Sequence, residues 1–508
     1  MRPLNSGLFA AGLAFAVSGP AWAELTLEQA REAIFGLYDF AGYEITIGNE
    51  QMSGGAITLS DVSAIFPLPD GAGSVTLEMG TVTLSKIDDS VEVSYADSML
   101  LTIDISPPGE DIAKAVGVIS LADFTTLMSG SPDVLRMRSG ATAIGFRLDS
   151  LMVEGQDIPL NFSVDTSEMT TDYTLTGTDP ARRRFEGSSN LGSVAIRANG
   201  VKPGGGGGFT GEMTYEALGG SFLFDMAAVD LANPEDALRL LQEDFAVEMK
   251  LTSGSSAIKI DFADGNDRFA MESSSAGGRF GYGVSKQGVN IDIAQTDVAL
   301  TFSSSEIPLP AISLAYEEVG FGLDVPLAAA GDAQDFSISA ALRNLTVDDT
   351  IWAMFDPGQA LPRDPMTVAL ALSGKVMVLV DLLDPETMMQ MGDMKGPPIL
   401  PVSASLDELL VSFGGARLTG SGAATLDLAS AKVVNGIPMP VGKVDLKLTG
   451  AFGLMDTLAN MGLIPPDASM MARGIIGAFA RPVGEDDFES TLEITPDGAI
   501  MANGQRIQ

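Results

Sequence analysis

From about Glu44 onward, apolar and polar residues alternate along the chain with a period of two. Val444-Asp445-Leu446-Lys447-Leu448-Thr449 alternates strictly, and Val289, Ile291 and Ile293 are interleaved with Asn290 and Asp292. Successive side chains of a strand point to opposite faces, so the pattern predicts strands with one packed and one wet face. Similar runs recur at 97–105, 142–153, 160–164, 191–198, 209–216, 245–262, 336–347, 366–380 and 418–428. Sheets of this kind pair mostly antiparallel. The expected fold is therefore mainly β (α+β): extended, curved antiparallel sheet with several short covering helices. One parity change stands out. Val75, Leu77 and Met79 share one parity and Val82 and Leu84 the other. The switch falls at Gly80, where a bulge or a break is expected.

Helical periodicity is sparse. Thr26-Leu27-Glu28-Gln29 fits a capping box, and Leu27, Ala30, Ile34, Leu37 and Ala41 then form one apolar stripe. Arg31 is the one basic residue there, so this helix is expected to dock on a core rather than a membrane surface. Asn233 caps a second expected helix at 234–245, with Pro234 at its first position and Leu238, Leu241 and Phe245 on its apolar face. Further short helices are expected at 124–136, 348–355, 381–391, 453–461 and 467–479. The last two, spanning 453–479, are joined by Gly462-Leu463-Ile464-Pro465-Pro466.

Phe66-Pro67-Leu68-Pro69, Ile158-Pro159-Leu160, Ile307-Pro308-Leu309-Pro310 and Ile437-Pro438-Met439-Pro440 each precede a strand-like run. Their spacing is too irregular for a solenoid; shared turn chemistry and an old duplication both account for the echo. Pro203 followed by Gly204 to Gly208 is the obvious interruption, read as a linker or a hairpin loop. It divides the chain into 24–202, a β-rich region opening with a helix, and 209–508, a β-rich region with helices near 234–245, 381–391 and 453–479.

The first 23 residues read as an export signal. Arg2 supplies the positive end, Leu8 to Val17 a short apolar segment, and Ala21-Trp22-Ala23 a cleavage site before Glu24. The apolar segment is too short to stay in a bilayer. A periplasmic location is expected, with no transmembrane helix after cleavage. The 508 residues include no Cys and no His. Disulfides, Ser-His and Cys-His nucleophiles and the usual zinc ligand sets are thereby excluded. A net charge of −38 repels phosphate backbones, so no nucleic-acid partner is expected.

The short motifs do not rise to sites. Gly206 to Gly211 matches GxGxxG but leads into a strand-like run. Ser256-Ala257-Ile258-Lys259 matches SxxK, yet on a strand residues three apart face opposite ways. Asp261, Asp264, Asn266 and Asp267 around Gly265 lack the calcium-loop spacing and suit a hairpin turn. Met388, Met389, Met391 and Met394 are read first as packing, and otherwise as a deformable wall for an apolar ligand. No catalytic, cofactor-binding or metal-binding residue is assigned, and no cofactor is expected. Trp352 is expected to be a core anchor.

Ile307-Pro308-Leu309-Pro310, Trp352 with Phe355-Asp356-Pro357, Leu361-Pro362-Arg363-Asp364-Pro365, Leu382-Leu383-Asp384-Pro385-Glu386 and the terminal Ala502 to Gln508 carry a resemblance. With them the chain resembles the uncharacterised exported bacterial family called domain of unknown function 2125, most firmly over 300–508. The resemblance implies no activity and no site residues. The tail is distantly similar to periplasmic proteins of the AsmA and YdgA type, which implies long β-sheet surfaces, some handling lipids. The functional expectation is an exported, non-catalytic envelope protein. It would hold a lipid or other apolar ligand on a sheet groove, or dock on an envelope partner. The alternatives are an outer-membrane β-barrel and a carboxylate-based envelope hydrolase.

Overall fold

The computed structural model describes residues 25–40, 42–107, 112–177, 182–202, 204–227, 243–307, 309, 311–393, 396–426, 433–434 and 437–507. The expected export signal, Ala41, Met394, Asn233 and residues 234–242 lie outside them. At the end of the helix expected at 234–245, Phe245 is buried and not helical, and it leads into a strand.

Helix α1 (Leu27–Phe40) begins at its capping box. The Thr26 amide donates to Gln29 Oε1 at 3.0 Å and the Gln29 amide to Thr26 Oγ1 at 3.2 Å. These two bonds satisfy amides that no helical carbonyl reaches.

The chain then runs up and down as one antiparallel sheet. β1 (Glu44–Ser53), β2 (Ala56–Pro67) and β3 (Gly73–Ile87) pair in chain order. The next passage is double: β4 (Ser90–Tyr95) lies on the far part of β3 and β5 (Ser98–Ile105) on its near part. The return is double too, with β6 (Ala113–Ala122) on β5 and β7 (Thr125–Ser131) on β4. β8 (Val134–Val153) spans both. The helix expected at 124–136 is thus the β7–β8 hairpin. Pro132-Asp133 makes its tight turn, and Met128 registers with Met137, both buried.

After the short β9 (Gln156–Asp157) come three long strands, β10 (Leu160–Thr176), β11 (Arg182–Val201) and β12 (Gly207–Ala227). Gly204, Gly205 and Gly206 form the β11–β12 turn with φ of 89°, 83° and 92°, and pairing resumes at Val201 and Gly208. The glycine run is therefore a hairpin tip, and the second half of the GxGxxG match is strand.

β13 (Ala246–Ser253), β14 (Ser256–Asp264), β15 (Asp267–Ser275) and β16 (Gly277–Ser285) fill the space between β12 and β17 (Gly288–Ser304). Their pairing repeats that of β4 to β7 between β3 and β8, strand for strand. The proline segments at Ile158 and Ile307 follow β8 and β17 and so occupy equivalent places. β18 (Ile312–Pro326), β19 (Gln334–Val347), β20 (Met366–Val378), β21 (Ile399–Phe413) and β22 (Ala416–Leu426) continue the sheet. Between them sit α2 (Asp349–Phe355) and α3 (Pro385–Gln390). β23 (Val433–Val434) and β24 (Ile437–Pro438) form a separate small ladder. β25 (Pro440–Thr449), α4 (Ala451–Asn460), α5 (Pro466–Phe479), β26 (Arg481–Pro482), β27 (Asp487–Ile494), β28 (Ile500–Ala502) and β29 (Gln505–Arg506) complete it.

A line of left-handed residues crosses the sheet: Asp61, Gly80, Asp123, Glu168, Ala217, Asp297 and Asn344, with φ between 48° and 69°. Asp123 lies between β6 and β7; at each of the others the strand swaps which parity faces the same side. In β2, Ile57 and Leu59 precede Asp61 and Val62 and Ala64 follow it, yet all four are buried. The switch at Gly80 is one member of this crease.

The buried core lies under α1. Leu25, Ala30 and Ile34 pack on Ile57, Leu59, Val82, Leu84, Val91 and Val93. Among the described residues β1 pairs with β2 alone, and β28 and β29 pair only with each other and β27. The sheet is open, and a barrel requires closure. The barrel alternative is therefore corrected.

Candidate functional site

One face of this sheet carries long apolar rows, and among the described residues helices cover only its two ends. Residues directly opposite on antiparallel strands share a face with Cβ atoms about 4.5–5.5 Å apart, so registered residues form rows. One row reads Leu251, Phe280, Ile293, Phe321, Ala340, Leu370 and Leu409. Its neighbour reads Met249, Tyr282, Ile291, Leu323, Ile338 and Leu372. Phe280, Ile293 and Phe321 remain 41%, 42% and 40% exposed, and Val368 56%. A depression of about 420 Å³ opens on these rows, lined by Tyr215, Leu218, Leu251, Phe280, Ile293 and Phe321. A second, of about 280 Å³, lies at the hairpin tips against Leu160, Phe209 and Phe262. From β12 to β21 the face left uncovered by the described residues is roughly 35 Å across at the usual strand spacing.

At one end α1 closes this trough with aromatic rings. Tyr173 meets Phe185 at 4.9 Å, and Phe185 meets Phe222 at 4.9 Å. Burial holds the Tyr38, Tyr95 and Tyr173 phenols above their ordinary pKa, keeping this end uncharged. At the other end α2 places Trp352 on Phe413, which shares a face with Val411. Asp348 caps α2 by accepting from the amides of Thr350 and Ile351, and also from Ser313 at 2.7 Å. Arg363 lies over the Trp352 ring at 4.3 Å. Beyond it, Phe452 of α4 packs on Phe488 at 4.7 Å.

The opposite face is polar and laced with ion pairs. Arg343 grips Glu408 bidentately at 2.9 and 2.6 Å and reaches Glu318 at 3.4 Å. Arg197 bridges Asp165 and Glu212. The displaced carboxylates are pulled below their ordinary pKa. Arg343 does this to Glu408 and Lys259 to Glu272. At Asp348 and Asp356 burial opposes ionisation, and donated backbone amides outweigh it. A glycosidase-type general acid needs the reverse displacement, so these groups do not supply one.

The sequence motifs resolve into structure. Ser256 is buried and bonded to Ser275 Oγ at 2.7 Å, while Lys259 points to the other face and pairs with Glu272 at 2.8 Å. Asp264 and Asp267 flank the β14–β15 turn, and Lys202 holds Asp264 at 2.8 Å. Packing does not describe the methionines: Met388, Met389 and Met391 are exposed, Met389 by 78%. Trp352 is a core anchor, 4% exposed.

Fold and face define a class: a mainly β protein built as one open antiparallel sheet, apolar on one side and ion-paired on the other. Residues 262–504 match the family described as "Uncharacterized protein conserved in bacteria (DUF2125)", and over that stretch the chain is similar to it. No curated protein matches the chain. Nothing in these matches supports the wider likeness to AsmA- and YdgA-type proteins. Among solved structures, "Crystal structure of ferric citrate transporter FecA in the unliganded form" is similar at 7% identity. That likeness covers 91% of this chain and 76% of that one with a TM-score of 0.17, too low to carry an argument.

Proposed function

We propose that this is an exported, non-catalytic protein of the bacterial envelope that carries the acyl chains of a lipid along the uncovered apolar face of its sheet. The observation behind it is the row from Leu251 to Leu409, which among the described residues is left open between α1 and α2. About a dozen large apolar side chains near 40% exposure leave on the order of 1,000 Å² uncovered, against a few hundred on ordinary monomers. Such a surface costs free energy in water unless something covers it. An extended acyl chain fits because the rows are long, continuous and free of charge. The ion-paired opposite face keeps the protein in water.

Native mass spectrometry of the protein released gently from the periplasm, followed by organic extraction, tests this. A co-purifying mass that extracts as lipid is expected. A clean ligand-free mass, or recovery of the protein only from the cytoplasm, overturns it.

A further inference from the structure

A surface helix normally turns its polar side to water; α5 does the opposite. Met470, Met471, Ile475 and Phe479 are exposed, at 64%, 69%, 55% and 40%, and Gly474, Gly477 and Ala478 are exposed between them. The buried side holds Ser469 and the half-buried Ala472, Arg473 and Ile476. Asp467, in the first turn, is the one charge on the outward side. The helix's one cation is directed inward: the Arg473 guanidinium lies 4.4 Å from the Phe452 ring centre and pairs with Asp456. Leu463, in the turn before α5, is a further exposed apolar residue at 49%.

We infer that the α4–α5 hairpin is a membrane-contact element, seating the outward face of α5 in the interface of a bilayer of zwitterionic lipids. Three observations choose this occupant. The face covers a few hundred Å², well under the roughly 800 Å² per partner of a stable protein interface, whereas shallow insertion into a bilayer needs no such area. It offers no cation for anionic headgroups, and the chain's charge of −38 disfavours an anionic surface. It also adjoins the end of the trough, because Phe452 of α4 packs on Phe488. Phe488 continues the cross-strand row of Val411, Leu418 and Leu448. The inference stands on the helical hairpin, not on what the trough holds.

The test is flotation of the full mature chain with phosphatidylcholine vesicles at low and high salt. The protein is expected to float at both. The Met471→Glu/Ile475→Glu variant should float about tenfold less, with its unfolding midpoint unchanged. A second variant, Phe280→Glu/Ile293→Glu, should float like the wild type, which separates this reading from the lipid-carrying one. Failure of the wild type to float overturns the inference, as does flotation lost at high salt or unchanged flotation of the α5 variant. Loss of flotation in the trough variant assigns the contact to the sheet instead. A wild-type dimer in sedimentation that the α5 variant lacks assigns the face to a second copy.

Discussion

The Trp352 indole stacks on Phe413 with ring centroids 6.2 Å apart and planes 7° from parallel, which ties a seven-residue helix to the end of β21. α2 is too short to hold itself together in water. Trp352→Ala should therefore release it and cost about 3–5 kcal/mol, the range for removing a large buried aromatic. Urea unfolding followed by far-UV circular dichroism reads the loss. Expected cleavage after Ala23 removes Trp22, leaving Trp352 as the one tryptophan of the mature chain, and its emission should be blue-shifted until unfolding.

The crease makes a counterintuitive prediction. Ala217 sits in the middle of β12 with φ of 50°, where a Cβ costs about 1–2 kcal/mol. Glycine within a strand normally destabilises by roughly 0.5–1 kcal/mol through chain entropy. At this position the first effect exceeds the second. Ala217→Gly is expected to stabilise by about 0.5–1 kcal/mol, and Gly80→Val to destabilise. Paired urea titrations decide it; a lower midpoint for Ala217→Gly would show that the left-handed turn is unstrained.

Acid should weaken the C-terminal half through named carboxylates. Arg343 lowers the Glu408 pKa in the folded state. The unfolded chain then binds the proton more readily, so stability rises with pH through this range. The contribution of Glu408 is present above its unfolded pKa, near the ordinary carboxylate value, and is lost as pH falls through its lower folded value. Stability of the wild type between pH 5 and 3 should fall more steeply than that of Glu408→Gln. Equal slopes would mean that the pair contributes nothing.

Phe280→Glu/Ile293→Glu should abolish most binding of an apolar fluorescent dye such as N-phenylnaphthylamine. Both side chains are about 40% exposed, so the fold should tolerate the change. Lys375→Glu, on the ion-paired face opposite Asp335, serves as the charge-matched control and should bind dye normally.

Cutting the chain at its glycine run tests the division at 203–208. β11 and β12 pair continuously on both sides of the crease, from Arg182 with Ala227 to Val201 with Gly208. A protease site placed at Gly205 should give two fragments that co-elute under native conditions. Separation of the fragments would favour a linker between independent halves.

The period-two pattern carried most of the fold, since it reports a strand's two faces whatever its neighbours. Of the crease, the parity change at Gly80 is visible in the sequence. Others are written as plainly: Phe209, Met213 and Tyr215 are odd-numbered, Phe222 and Phe224 even. A parity change within one strand looks like a strand end until the pairing is known. The stretch 124–136 reads as a helix because its apolar residues also satisfy a spacing of three to four, which hides the turn at Pro132-Asp133. Nothing local in the sequence shows that the described residues leave the apolar face open. Alternation says that a face is apolar, and only the count of covering elements says what meets it. The outward face of α5 was legible in Met470, Met471 and Ile475, which leave that helix apolar on most sides.

The up-and-down order has a consequence for how the molecule is made. Each passage rests almost wholly on the passages just before and after it in the chain, so few contacts await a distant segment. Loop-closure entropy stays low at every step, which favours rapid folding for so large a sheet. Growth can proceed one hairpin at a time from the nucleus under α1, each new strand finding its template already laid down. Such a chain should also come apart gradually, fraying inward from its β28–β29 edge while the α1 end still holds.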